Sequence, residues 1–118
     1  MNLRQVADTV EAAIYHGEDE DLNASAESAA ASDLMSDILN RIDVADVLLT
    51  GLNTTQIIHT ASVSGIKAVI VVRGKTPDSK IIELAEEEGI VLMSTKMSLF
   101  EASGKLYSAG LHGVGKPL

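Results

Sequence analysis

Three short segments of this 118-residue chain gather the side chains that could hold a negatively charged group. Thr50, Gly51, Asn53, Thr54 and Thr55 make the first, Arg73, Gly74, Lys75 and Thr76 the second, and Ser94, Thr95, Lys96 and Ser98 the third. Hydroxyl, amide and cationic groups donate hydrogen bonds, so a phosphate, a carboxylate or a nucleotide suits them. Three of the nine basic residues, Arg73, Lys75 and Lys96, fall here. The same residue types also cap helices and fill ordinary loops, and that plainer role is the alternative at every position. Neither RGKTPD nor TGLNTT has the glycine spacing of a Walker or dinucleotide-binding loop. The candidate ligand-binding set is Thr50, Gly51, Asn53, Thr54, Arg73, Lys75, Ser94, Thr95 and Lys96.

Reaction chemistry is thinly supplied. His16, His59 and His112 stand far apart in sequence, and none has metal-ligand spacing. His59 falls in a helical run with Ile57, Ile58 and Ala61, where a structural role is the plainer reading. Asp33 and Asp37, at i and i+4, share one helical face and could hold a cation, although solvated carboxylates near a helix start are commoner. Ser28, Ser32 and Ser36 lack a nucleophile-elbow context. Asp78 and His59 are the best bases near the three segments, and nothing joins them to a nucleophile and an oxyanion donor. No catalytic residue, metal ligand or cofactor is therefore assigned, and the chain is expected not to be an enzyme.

The segments could converge only if the elements around them do. ADVLLTGLNTTQIIHTASVSG (45–65), IKAVIVVRGKTPDSKIIELAEEEG (66–89) and IVLMSTKMSLFEASGKLYSAG (90–110) each run an apolar strand into a polar loop and then a helix. Strands alternating with helices argue for a parallel sheet, whose ligands sit where strands end and helices begin. Punctuation supports the three helices: Asn53 with Gln56, Thr76 as cap with Pro77 at the first helical position, and Ser98 with Glu101. Gly89 and Gly110 end the second and third helices. In these helices Ile81, Ile82, Ala85, Leu99, Ala102, Leu106 and Tyr107 are expected to face inward.

Upstream, Asn2 and Gln5 start a short helix with Leu3, Val6 and Val10 on one face, and residues 12–15 read as a strand. GEDED (17–21) reads as a solvated turn. Residues 22–32 mix alanine, which favours helix, with a strand-like alternation; a strand of small residues is the preferred reading. Ser32 then caps a helix with an apolar stripe of Leu34, Met35, Ile38, Leu39 and Ile42. Gly104, inside the last helix, suggests a close neighbour from this chain or a second copy.

Composition sets the outer bounds. Hydrophobic residues make up 46% and aromatics 3%, so the core must be built from aliphatic side chains, which suits buried parallel strands. Net charge is −8, which disfavours nucleic acid and anionic membranes as partners. There is no cysteine, hence no disulfide or thiolate site. No signal peptide and no bilayer-length apolar run is present, so a cytoplasmic protein is expected.

The pattern is similar to that of the DRTGG domain family over residues 1 to 111. Ser32-Asp33-Leu34 with Ser36-Asp37, the unit from Gly65 to Gly74, and Pro77-Asp78 with Glu86-Glu87-Glu88-Gly89-Ile90 carry the resemblance. Ser94-Thr95, Phe100-Glu101 and Leu106-Tyr107 add to it. The family's naming motif should fall just before Ser32, where Asn23-Ala24-Ser25-Ala26-Glu27-Ser28 keeps neither its Asp-Arg nor its Gly-Gly. The resemblance implies an α/β fold like the N-terminal domain of HPr kinase. It also implies kinship with regulatory modules beside CBS domains in family II pyrophosphatases and beside phosphotransacetylases, which take part in dimer contacts.

The expectation is thus a single compact α/β domain over 1–111, a largely parallel sheet of about four strands flanked by helices, with a flexible tail at 112–118. Functionally it is a non-catalytic regulatory or sensor domain in signalling, a homodimer, binding a small anionic metabolite or nucleotide at the strand-to-helix loops. A protein-interaction module without a ligand is the alternative, and a small phosphoryl- or acyl-transfer enzyme a further one.

Overall fold

Aliphatic runs without a polar face demand cover on both sides, and the chain supplies it. The computed structural model describes residues 1–41 and 45–114. Along the chain stand α1 (Leu3–Thr9), β1 (Ala13–His16), α2 (Asp19–Leu22), β2 (Ser28–Ala31), α3 (Met35–Arg41) and β3 (Val47–Thr50). Then follow α4 (Thr55–Val63), β4 (Ala68–Val71), α5 (Ser79–Glu88), β5 (Val91–Ser94), α6 (Leu99–Ser108) and β6 (His112–Gly113). One six-stranded sheet has the order β1-β5-β4-β3-β2-β6. Strands β2 to β5 are parallel neighbours, β6 joins β2 in parallel, and only β1 runs antiparallel, against β5. The expected parallel core of four strands is there, and the two further strands are its edges. Two residues of the segment expected to be a tail, His112 and Gly113, form β6.

Every residue of β3, β4 and β5 is buried. The period of two sends alternate side chains into two cores. Val47, Leu49, Ala68, Ile70, Val91 and Met93 meet Leu3, Val6 and Val10 of the α1 segment and Ala102 and Leu106 of α6. Leu48, Val69, Val71 and Leu92 meet Ile38 of α3, Ile57, Ile58 and Ala61 of α4, and Ile81 and Ala85 of α5. The protein is a three-layer sandwich, with α3, α4 and α5 on one face and α1 and α6 on the other.

Several local expectations are corrected. The acidic run is not a plain turn, because Asp19–Leu22 closes one helical turn that buries Leu22. Ser32 accepts from the Leu34 N–H (3.0 Å), but the helix begins at Met35. Of the α3 stripe only Ile38 is buried; Leu34 and Leu39 are exposed, and Ile42 lies outside the described residues. Tyr107 points outward, 74% exposed. A Cβ at Gly104 would meet nothing within 4 Å, so no neighbour among the described residues occupies that space.

Candidate functional site

Because β3, β4 and β5 are parallel, Thr50, Arg73 and Ser94 stand along one sheet edge, the carboxyl edge. At β3 the loop turns on its own groups. Thr50 is fully buried and its hydroxyl accepts from the Leu52 N–H (3.1 Å). The Thr54 hydroxyl accepts from the Ile57 N–H (3.3 Å) and caps α4. Asn53 is therefore not the cap; its amide nitrogen donates to the Thr76 carbonyl (3.1 Å), tying this loop to the next. Its Oδ1 is buried with no hydrogen-bond partner among the described residues.

The loop after β4 carries the strain. Arg73 has φ 65°, in the left-handed region that non-glycine residues rarely take, and Gly74 follows at φ 71°. The Arg73 N–H donates to the Met97 carbonyl and the Gly74 N–H to the Thr95 carbonyl, both at 2.8 Å, which holds the turn against β5's loop. The guanidinium lies over Gly51, where any Cβ would overlap it, and Nη1 is 3.6 Å from Asp33 Oδ2. The other carboxylate oxygen of Asp33 accepts from the Gly51 N–H (2.6 Å). Lys75 reaches back to donate to the Gly51 carbonyl (2.7 Å). Arg73 and Lys75 thus meet acceptors of the protein itself, and Asp33 belongs to this edge rather than to a helical pair with Asp37.

The loop after β5 is arranged differently. Ser94 donates to the Lys75 carbonyl (2.6 Å), and buried Thr95 donates to the Val10 carbonyl (2.6 Å) while accepting from the Met97 N–H (3.2 Å). Lys96 is exposed and has no acidic partner among the described residues. Beside it opens a cleft of about 400 Å³ lined by Gly74, Thr76, Ser94, Thr95, Lys96 and Met97, closed on the far side by Val10, Glu11, Ala13 and Tyr15. The helix after β4 leaves on one face of the sheet and the helix after β5 on the other. That divergence between adjacent parallel strands is where open α/β sheets form ligand crevices.

The nine candidate residues therefore share an edge but split into two groups. Thr50, Gly51, Asn53, Thr54, Arg73 and Lys75 are engaged by other groups of the protein, and Ser94, Thr95 and Lys96 line the cleft. Sequence reasoning paired Asp33 with Asp37 instead of placing it at this edge, and it missed the Glu11 and Tyr15 wall. The wall left no local signal, since β1 reaches the cleft only by pairing with β5 (Ala13 with Ser94).

Among the described residues no group of three or more His, Asp or Glu could hold a metal ion, and no helix is long and apolar enough to cross a membrane. No curated protein matches the chain. Among solved structures, it is similar to the CBS and DRTGG domains of the regulatory region of Clostridium perfringens pyrophosphatase, complexed with the activator diadenosine tetraphosphate. The TM-score is 0.71 at 22% identity, and the match covers 89% of this chain. The chain spans 45% of that structure's length. The DRTGG domain model matches residues 5–109, from the first helix through α6 and so across both cores and the whole carboxyl edge, and the chain belongs to the DRTGG domain family.

Proposed function

We propose that this chain is a regulatory domain that performs no chemistry of its own and, as a cytoplasmic homodimer, senses a small anionic metabolite or nucleotide. The ligand sits in the cleft between the ends of β4 and β5. The observation that carries this reading is Lys96, an ammonium with no acidic partner among the described residues, beside the crevice where α5 and α6 diverge. Thr76 and Ser94 add hydroxyls, and the Tyr15 ring offers an apolar surface on the opposite wall. A phosphate at Lys96 with a base toward Tyr15 is the arrangement these groups suit. The likeness to a regulatory region solved with a dinucleotide activator supports nucleotides as the first class of probe.

The test is a thermal-shift and calorimetric series with diadenosine tetraphosphate, ATP, AMP, acetyl phosphate and inorganic phosphate. A true ligand at a hundred times its dissociation constant adds about 2.7 kcal/mol of stability. Lys96→Ala is expected to abolish that shift and leave the unliganded melting temperature unchanged, because the side chain is exposed. Absence of a response to every probe would favour the second reading, a protein-interaction module without a small ligand. That reading draws on Arg73 and Lys75, whose charges are already directed at Asp33 and Gly51.

A further inference from the structure

The chain has three aromatic side chains, and two of them stand on one face of α6, directed away from its own core. Phe100 is 89% exposed and Tyr107 74%. Seven residues apart, they share a helical face with Gly104 between them, above which a Cβ would meet nothing within 4 Å. Glycine inside a helix costs about 1 kcal/mol relative to alanine, so an open glycine flanked by bare aromatics is a local loss unless another surface approaches.

We infer that α6 is the surface through which two copies of this chain pair, antiparallel, about a two-fold axis between Ser103 and Gly104. The assignment rests on the homodimer proposed above and names its face. Three features fit a second copy. First, the two-fold sets Phe100 of one copy opposite Tyr107 of the other, twice, while Gly104 lets the backbones approach. Second, the charges complement themselves. Glu101 and Lys105 lie on one flank of the stripe, and neither is in an ion pair within the chain among the described residues. Antiparallel pairing sets the same flank of both copies together and brings Glu101 of each beside Lys105 of the other, whereas parallel pairing leaves these charges on opposite sides of the seam. Third, the opposite flank opens into an apolar cleft of about 160 Å³ between α6 and the small residues of β2, lined by Ala29, Ala31, Ser103, Leu106 and Tyr107. A phenyl ring entering such a pocket is the usual form of an interface anchor.

Sedimentation velocity across a concentration series tests the pairing. The wild type is expected to dimerise, and Phe100→Ala to raise the dissociation constant roughly thirtyfold, as loss of an interface anchor does. Glu101→Lys and Lys105→Glu should each weaken the dimer, and the double reversal should restore it. The chain has no cysteine, so single introduced thiols report geometry directly. Gly104→Cys is expected to give a disulfide-linked dimer on mild oxidation, and Val63→Cys, exposed on α4, none. Circular dichroism checks that each variant is folded. A dimer indifferent to Phe100→Ala and to the charge reversals would overturn the α6 surface alone, while a monomer at every concentration would overturn the homodimer as well.

Discussion

Asp46 ties the start of β2 to the segments that lead into β3 and β4. Its Oδ2 accepts from the N–H groups of Glu27 (2.7 Å) and Ser28 (3.3 Å) at the start of β2. Its Oδ1 lies 3.2 Å from Lys67 Nζ, which also donates to the Ser25 carbonyl. Burial pushes the carboxyl's pKa up, but the Glu27 N–H, the Lys67 ammonium and the Ser28 N–H outweigh it, and the pKa falls below its ordinary 3.8. A carboxylate with a lowered native pKa contributes stability that is fully present above the unfolded value and is lost as pH falls through the native one. Asp46→Asn should therefore lower the melting temperature at neutral pH, and the gap to wild type should close as pH drops below 3.8. Thermal melts from pH 7 to 2.5 check this; a gap of constant size would show that the charge is not what Asp46 contributes. The sequence did not mark Asp46, and it offered Asp33 as a partner of Asp37 rather than of Gly51, because the groups these two carboxylates bond lie 19 and 18 residues away. The Ser98 cap was legible because a cap bonds within three residues, while at α4 the same local pattern pointed to Asn53, one residue ahead of the actual cap Thr54.

At the scale of elements, the three strand–loop–helix units were readable because period, caps and stops agree within each unit. The exact cap was harder to read where two good candidates adjoin. Thr76 with Pro77 reads as cap and first turn, but Asp78 takes the cap position and its carboxylate accepts from the Ile81 N–H (3.0 Å). A carboxylate adds attraction to the helix dipole that a threonine hydroxyl lacks, and Pro77 is buried ahead of it instead. Asp78→Ala should cost about 1 kcal/mol, and Thr76→Ala no more than about 0.5 kcal/mol, since only the Thr76 carbonyl is engaged, by Asn53. Urea denaturation of the two variants separates them, and equal losses would contradict the observed cap. Misreadings of facing have a similar origin. Periodicity finds an apolar stripe without saying what covers it. On α3 the stripe is wider than its cover, which reaches Ile38 and leaves Leu34 and Leu39 bare. On α6, Ala102 and Leu106 complete the burial and Tyr107 is left outside.

For the whole molecule, what the sequence could not display is how its beginning meets its end. The parallel core forms from neighbours in the chain, each strand beside the one before it, whereas β1 must cross the molecule to pair with β5. A buried bond reinforces that closure beside the β1–β5 ladder: the Thr95 hydroxyl donates to the Val10 carbonyl across 85 residues and also receives the Met97 N–H. The same bond fixes the far wall of the cleft, since Val10 and Glu11 line it opposite Thr95 and Lys96. Thr95→Val keeps the side chain's shape and removes both hydrogen bonds, leaving a buried carbonyl unsatisfied, so it should cost about 1–3 kcal/mol. The partition of that cost between rates is informative. Contacts distant in sequence require the largest loop closure, and β1 docking is expected to follow formation of the β2–β5 core. The loss should then fall on unfolding: the rate of unfolding rises about five- to 160-fold, while folding is nearly unchanged. Stopped-flow kinetics in urea measure both limbs. A slowed folding limb would instead place the β1 closure in the folding nucleus, and the carboxyl-edge cleft would be shaped from the first committed step rather than the last.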